Sequence, residues 1–276
     1  MKHNSKTSKT FSAVFLIVLG ASFLFPLLWL LLTSFKGARE IYTNPIGLPD
    51  NWLFSNYADA VTHSSFVRHF INSMFYTTAG TFLVLLSVTL FSYATARMRF
   101  GLANKLQKYI QFGLVIPGGA TLLGIYDILL KCNMKNTYIG LILVYAAMKI
   151  PMAAVIMHGF FRLLPFSLEE SAAIDGAGTF TTFNKIILPM VTPAISTVSV
   201  ITALDIWNEY TLAYILVDKD ALKTLPVGIA TFMTARGGNW GGMAAALFLA
   251  ALPTIILYLI FSEKLEDALT VSSASK

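Results

Sequence analysis

Residues 11–32 read FSAVFLIVLGASFLFPLLWLLL, a stretch of 22 residues without a charged side chain. A helix needs about 20 mostly apolar residues to cross the hydrocarbon core of a bilayer, so this stretch predicts a membrane-spanning helix. It is too long for the h-region of a signal peptide, which has about 7–15 residues, and no A-x-A cleavage site follows it. We therefore expect a retained first helix.

Five more apolar stretches follow the first one. The six candidate spans cover roughly residues 11–32, 72–96, 108–130, 138–161, 190–217 and 243–262. Of all residues, 56% are hydrophobic and only 12% are charged, against about 25% charged in ordinary soluble domains. The sequence therefore predicts an all-α polytopic membrane protein, with six transmembrane helices in a single membrane domain over residues 1–276. The run Pro117-Gly118-Gly119 is expected to break or kink the third helix.

Basic residues lie at the ends of the apolar stretches, although the net charge of +6 by itself could suggest a nucleic-acid partner. Flanking charges of this kind report membrane orientation, and nucleic-acid binding is not expected. The short loop 97–108 carries four positive charges, on Arg97, Arg99, Lys105 and Lys108. Because positive loops face the cytoplasm and an even number of spans returns the chain to its starting side, both termini are expected in the cytoplasm.

A long polar segment, residues 162–189, separates the fourth and fifth predicted spans on the inner side. Within it, Ser167 and Glu170 form an S-x-x-E capping box, which predicts the start of a helix. Gly176 is placed to end that helix. The segment therefore predicts a short surface helix of about two or three turns. A plain interfacial loop, whose aromatic side chains lie on lipid headgroups, remains an alternative on these residues alone.

The same segment carries a longer pattern with fixed gaps. Glu170-Ser171-Ala172 is followed after three residues by Gly176, and after nine more by Ile186-x-Leu188-Pro189. This pattern resembles the EAA motif of ABC importer permeases, with Ser171 where that family prefers alanine. Over most of the chain the sequence resembles the carbohydrate permeases related to the maltose system, and it looks more like their shorter, six-helix type. The matching positions are Ser34-Phe35-Lys36, Leu48-Pro49, Asn56-Tyr57, Asn136-Thr137-Tyr138, Asp175-Gly176-Ala177, Trp207-Asn208-Glu209-Tyr210 and Thr224-Leu225-Pro226-Val227-Gly228.

The resemblance implies a type I ABC importer permease fold, in which residues 165–189, the EAA loop, carry a cytoplasmic coupling helix. That helix would lie in a groove on an ATPase subunit and move with it as nucleotide binds and is hydrolysed. Glu170 would face basic groups of the ATPase, and Gly176 would permit a sharp turn. Small Ser171 and Ala172 would allow close approach. The full set of candidate coupling residues is Glu170, Ser171, Ala172, Asp175, Gly176, Ile186, Leu188 and Pro189.

The resemblance also implies partners and a location. The chain would form a heterodimer with a second permease in a bacterial inner membrane, with two copies of a cytoplasmic ATPase and an extracytoplasmic sugar-binding protein. The substrate would be a carbohydrate, a di- or oligosaccharide more than a free monosaccharide. The sequence has no G-x-x-x-x-G-K-[ST] phosphate loop, so ATP and magnesium would bind to the separate ATPase. No catalytic residues, metal ligands or bound cofactor are expected in this chain, which would be a transporter subunit and not an enzyme.

Ionisable residues inside predicted spans are costly and usually functional. Lys149 lies in the fourth span, and a 3.6-residue repeat places Asp205, Asn208 and Glu209 on one face of the fifth. Lys149 would pair with Asp205 or Glu209 and hold two helices together. Alternatively, these groups, with Asn208 and Tyr210, would bind sugar hydroxyls in a translocation cavity, or would simply reach water at helix ends.

Two other functions are compatible with a polytopic membrane protein. An ion-gradient-driven secondary transporter would need no ATPase and would use Lys149, Asp205 and Glu209 as its proton or ion relay. A non-transporting membrane scaffold predicts that loss of the chain leaves all solute uptake unchanged.

Overall fold

The structure, a computed structural model, describes residues 6–62, 65–98, 100–235 and 239–274, and all the regular elements in these ranges are helical. Arg99, one of the basic residues used above to orient the chain, lies outside them. In chain order the helices are α1 (Lys6–Thr33), α2 (Ala38–Thr43), α3 (Ser55–Thr62), α4 (Phe66–Arg97), α5 (Ala103–Phe112), α6 (Gly118–Lys131), α7 (Tyr138–Leu163), α8 (Ser167–Ile174), α9 (Thr179–Thr182), α10 (Leu188–Met190), α11 (Thr192–Trp207), α12 (Thr211–Leu216), α13 (Leu225–Ala235) and α14 (Trp240–Ala274). A π-helical turn covers Phe183–Ile187 and a 3₁₀ turn covers Asp220–Leu222.

Fewer helices than expected are long and apolar enough to cross a membrane. Among the described residues there are four, at Ser12–Thr33, Phe66–Arg97, Tyr138–Leu163 and Trp240–Phe261. A fifth span is obtained if Thr179–Met190 and Thr192–Trp207, which are bent by 71° at their junction, are counted as one. The predicted count of six spans is therefore not confirmed.

The third predicted span, residues 108–130, is the one that differs most from expectation. It is divided between α5 and α6, which are separated by residues 113–117. The 14 residues of α6 reach only about 21 Å at 1.5 Å per residue, short of a hydrocarbon core about 30 Å thick. Pro117 is the extended N-cap of α6, which confirms the break expected at Pro117-Gly118-Gly119. Pro26, Pro151 and Pro253, by contrast, lie inside helices.

The chain folds into two compact units, Met1–Arg68 with Gly228–Pro253, and His69–Val227 with Thr254–Lys276. In the first unit, the segment after α1 folds around a buried lysine. Lys36 Nζ donates to the carbonyl oxygens of Asn44 and Gly47, each at 2.6 Å. Asn56 Nδ2 donates to the carbonyls of Ser34 (2.9 Å) and Lys36 (3.0 Å). The family-like positions 34–36 and 56–57 therefore hold this segment together.

Gly241, in the first turn of α14, makes the closest approach to this segment. A Cβ atom there would lie 2.5 Å from Asn56 Nδ2 and would also overlap the carbonyl oxygen of Lys36. We expect Gly241→Ala to destabilise the protein by about 1–3 kcal/mol, because a backbone carbonyl cannot move aside as a flexible side chain does. Thermal unfolding in detergent measures this. Gly119→Ala is the matched control, since a Cβ at Gly119 meets nothing within 4 Å. Equal unfolding temperatures for the two variants would contradict the prediction.

The second unit holds two hydrophobic clusters. One joins α4, α7 and α11 with the π-helical turn, through buried residues such as Val88, Met157, Phe161, Ile187 and Val198. The other is built on Tyr76, Tyr145, Ile206 and Leu216. These clusters position the EAA loop, which follows α7, and the Lys149 and Asp205 charges, which lie on α7 and α11.

Candidate functional site

The helix predicted in the EAA loop is present as α8, but it begins differently from the prediction. Ser167 is already helical, and the N-cap is Phe166, with φ −66° and ψ −22° and no side-chain cap bond. A capping hydroxyl must come from the residue before the first helical one. The predicted capping box between Ser167 and Glu170 is therefore wrong.

The end of α8 follows the prediction. Gly176 has φ +78°, a left-handed conformation that is costly for residues with a Cβ. Its N–H donates to the carbonyl of Ala173 at 3.1 Å, and the N–H of Ala177 donates to the carbonyl of Ala172 at 2.9 Å. These two bonds form a Schellman motif, which satisfies the last carbonyls of the helix. The structure confirms that α8 ends at this glycine.

The candidate coupling residues divide into exposed and packed ones. Glu170, Ser171, Asp175 and Gly176 are exposed, and so is Pro189. Ala172 is only 3% exposed, so it lies on the face of α8 that is turned into the protein and cannot provide close approach for another chain. Ile186 and Leu188 are partly buried against the hydrophobic cluster that contains Ile187. These two therefore contribute to packing of the loop onto its own chain.

Two apolar residues of the EAA loop that are absent from the predicted coupling set are strongly exposed. Ile174 is 86% exposed and Phe180 is 76% exposed. Ile174 lies four residues after Glu170, which places both on one face of α8. That spacing could have identified Ile174. Helical spacing would group Phe180 with Phe183, but only Phe183 is buried.

Arg97, at the end of α4, holds the start of the EAA loop. Its guanidinium makes a bidentate ion pair with Glu169, with Nε to Oε1 at 2.6 Å and Nη2 to Oε2 at 2.5 Å. The same group donates to carbonyl oxygens at the end of α7 and in the linker that follows. From the sequence, Arg97 is only an orientation charge and Glu169 only an acidic residue at the start of a helix. Nothing in the sequence signals that these two, 72 residues apart, meet.

Of the two ion pairs predicted for Lys149, with Asp205 or with Glu209, the structure contains the pair with Asp205. Lys149 Nζ lies 2.9 Å from Asp205 Oδ2 and so joins α7 to α11. The pair lines a small, open groove whose other lining residues are Met152, Ala153, Ile156, Val198, Ile201 and Thr202. The side chains of Lys149 and Asp205 are 28% and 51% exposed. The charged pair is therefore only partly buried.

Glu209 has different partners from those expected from the sequence. Because α11 ends at Trp207, the helical repeat that placed Glu209 with Asp205 does not reach it. Its carboxylate instead accepts the N–H groups of Leu212 (2.7 Å) and Ala213 (3.1 Å) and the hydroxyl of Tyr145 (3.1 Å). Glu209 therefore satisfies the first amides of α12, where a negative charge is favourable.

Asn208 and Tyr210 lie in the break between α11 and α12 and are both exposed. Asn208 Nδ2 donates to the carbonyl of Leu204 at 2.8 Å. The ring of Tyr210 stacks on that of Tyr214, with centroids 5.4 Å apart and planes 18° apart. The break thus exposes the amide of Asn208 and the stacked rings of Tyr210 and Tyr214, a few residues after Asp205 of the groove.

Outside the spans, one ion pair joins the loop before α7 to the loop after α12. Lys135 Nζ lies 2.7 Å from Asp218 Oδ2, and Asn136 accepts the N–H of Asp218 at 2.6 Å. Hydrogen bonds to Asp218 and Tyr126 raise the pKa of Lys135. Bonds from Lys135 and Asn136 lower the pKa of Asp218. Both groups are therefore charged at neutral pH, and the family-like Asn136 has a structural role.

Among the described residues, no group of three or more His, Cys, Asp or Glu side chains could hold a metal ion. The one cysteine, Cys132, is exposed. The candidate sites are thus a docking face on the EAA loop and a polar region on α7, α11 and the break after it.

Comparison with known structures identifies the fold. The chain aligns with a bacterial ABC transporter involved in import of the acidic polysaccharide alginate, with a TM-score of 0.82 at 20% identity, over 95% of this chain and 99% of the other. A second structure, the alginate transporter in complex with an alginate pentasaccharide-bound periplasmic protein, gives a TM-score of 0.63 at 16% identity, over 94% of this chain and 96% of the other. The fold is therefore that of an ABC importer permease.

Sequence comparison identifies the family. Residues 106–270 match the family described as the binding-protein-dependent transport system inner membrane component. The diacetylchitobiose uptake system permease NgcG of Streptomyces coelicolor is 30% identical over 96% of this chain and 90% of the relative. The melibiose/raffinose/stachyose import permease MelC of Bacillus subtilis is 29% identical, over 92% of each chain. The chain belongs to this family, and it is a membrane-embedded permease subunit of a binding-protein-dependent importer, not an enzyme.

Proposed function

We propose that this permease imports a di- or oligosaccharide and that its EAA loop docks onto a cytoplasmic ATPase. The observation that carries the proposal is the exposure of the EAA loop, in which Glu170, Ile174 and Gly176 are exposed towards the end of α8 and Phe180 is exposed four residues further along the chain. Ile174 and Phe180 are 86% and 76% exposed, and because they lie in the polar loop outside the predicted spans, a partner protein is the surface that we propose covers them. The relatives named for uptake of diacetylchitobiose and of melibiose, raffinose and stachyose support the substrate class.

The docking face has a definite chemistry. Ile174 and Phe180 would enter an apolar groove on the ATPase, and the carboxylates of Glu170 and Asp175 would meet basic groups at its rim. A Cβ at Gly176 meets nothing within 4 Å in this chain, so the space there is free for a partner. ATP and magnesium would bind to the ATPase, and its closure would push α8 towards the membrane domain.

The remaining parts of the proposed assembly follow from the importer class. The chain would pair with a second, different permease, with both termini cytoplasmic, and a sugar-binding protein would deliver substrate from outside. The positive loop 97–108 supports this orientation, because Arg97, Lys105 and Lys108 would lie on the same side of the membrane as the EAA loop.

Within the membrane, the exposed break after α11 is the part of this chain that we propose lines the sugar pathway. Asn208 offers an amide to sugar hydroxyls, and Tyr210 and Tyr214 offer ring faces for stacking. Lys149 and Asp205 would chiefly hold α7 against α11. The ion-gradient alternative needs carboxylates that are available to protons, whereas Asp205 is paired with Lys149 and Glu209 satisfies the amides of α12.

Uptake by the reconstituted transporter tests this proposal. The chain, its partner permease, ATPase and binding protein are placed in liposomes, and uptake of labelled diacetylchitobiose, melibiose and raffinose is measured. We expect uptake of at least one sugar to require internal ATP and external binding protein, and to be unaffected by a proton ionophore. Uptake that needs no ATP and collapses with the ionophore would instead establish the gradient-driven transporter.

A further inference from the structure

The linker between α7 and α8 is held by a buried arginine from another helix. Arg97 is the last residue of α4, and its side chain is 1% exposed. An arginine has five N–H donors in a planar fork, and each of them has an acceptor here. The acceptors are Glu169 Oε1 (2.6 Å), Glu169 Oε2 (2.5 Å), and the carbonyl oxygens of Leu164 (2.7 Å), Pro165 (3.0 Å) and Phe161 (3.3 Å).

All of these acceptors lie between the last turn of α7 and the first turn of α8. The carbonyls of Phe161 and Leu164 are at the C-terminus of α7, where helix carbonyls lack partners within the helix. The guanidinium also lies over the ring of Phe166, 4.0 Å from its centroid. The start of α8 is therefore attached to α4 through Arg97 as well as to α7, its neighbour in the chain.

We propose that Arg97 is a positioning residue for energy coupling, through which a movement of α8 is transmitted to α4 as well as to α7. This inference rests on the proposed function, because it assumes that an ATPase moves α8. Without the Arg97 contacts, α8 would lose its ion pair with α4 and would stay attached to the membrane domain through the linker 164–166, the packing of Leu168 and the rest of the EAA loop. ATP hydrolysis would then continue while less of the movement reached α4.

Lysine cannot replace arginine in this position. Its ammonium has three donors and no planar fork, so it would keep the charge and the pairing with Glu169 but would lose carbonyl contacts. Glu169→Gln has the complementary effect, because it removes the charge on Glu169 and leaves the three carbonyl contacts of Arg97 in place. Arg97→Lys therefore tests the bonds to the linker carbonyls, and Glu169→Gln tests the ion pair.

The test measures sugar transported per ATP hydrolysed in the reconstituted transporter. We expect the Arg97→Lys transporter to keep its ATPase subunits and to hydrolyse ATP at a rate within about twofold of the wild type. The amount of sugar transported per ATP should fall by about 5- to 20-fold. Glu169→Gln should lower the ratio less. Arg162→Lys is the control, since Arg162 is an exposed arginine in the last turn of α7 and its exchange should leave the ratio unchanged.

Two outcomes would overturn the inference. One is an unchanged transport ratio in Arg97→Lys. The other is a parallel fall of hydrolysis and transport, which would mean that Arg97 serves stability alone. If Arg97→Lys does not accumulate in the membrane, a lowered ratio in Glu169→Gln supports the inference and an unchanged one overturns it. A wild-type transporter that shows no ATP-driven uptake would contradict the proposed function itself, so the two failures are distinguishable.

Discussion

Replacing Gly176 with valine is expected to abolish ATP-driven sugar uptake while the protein still inserts into the membrane. The φ of +78° at this position is in the left-handed region, which costs an ordinary residue about 1–2 kcal/mol and a β-branched one more. Relief of that strain would break the Schellman bonds at the end of α8. The added bulk would also occupy the open space that we assign to the ATPase. Uptake in vesicles and the amount of co-purified ATPase measure the effect.

Two variants separate backbone strain from bulk at this site. Asparagine tolerates the left-handed conformation better than other residues with a Cβ, so Gly176→Asn should retain more uptake than Gly176→Val. Gly178 is the matched control, because it lies two residues away with φ −73° and ψ 162° and an added Cβ there also meets nothing within 4 Å. Gly178→Val should therefore be mild. Full uptake by Gly176→Val would count against the assigned role of this turn.

The second large effect is expected at the Lys149–Asp205 pair. Asp205→Asn leaves the Lys149 ammonium without its counter-charge in the membrane, which costs up to about 3 kcal/mol. We expect uptake to fall about tenfold or more, with less protein in the membrane. Lys149→Met should have a similar effect by leaving the carboxylate unpaired. Immunodetection in membranes and uptake per molecule separate the loss of protein from the loss of transport.

The double variant Lys149→Met with Asp205→Leu tests what the pair does. If it only joins α7 to α11, apolar side chains of similar size should restore uptake to within about threefold of the wild type. A double variant that inserts normally and stays inactive would mean that the charges contact the substrate. Lys131→Met is the control, because its exposed pair with Asp127 on α6 should be worth less than about 1 kcal/mol.

Features that depend on neighbouring residues were predictable from the sequence. The end of α8 at Gly176 follows from local backbone conformation, and the break before α6 follows from Pro117. One tertiary contact, the pairing of Lys149 with Asp205, was among the two pairings considered, because an intramembrane cation requires an anion nearby. The position of the EAA loop follows from its motif, which depends on residues close together in the sequence.

The other features that depend on tertiary contacts were not predictable. Whether Ala172 faces out or in depends on how α8 packs, and small residues suit both faces. The role of Glu209 differs from expectation because α11 ends two residues earlier, at Trp207. Arg97 looks like any basic residue at a membrane boundary until its five acceptors are seen together.

The most direct test of docking through the EAA loop is site-specific photo-crosslinking from its exposed face. A photoreactive residue is introduced at Ile174 in the assembled transporter, and the adducts are identified by mass spectrometry. Leu123, an equally prominent exposed residue on α6, is the control position. We expect an adduct at Ile174 with an ATPase that contains a phosphate-binding loop, and none at Leu123. An Ile174 position that yields no ATPase adduct beyond the Leu123 background would contradict the proposed docking.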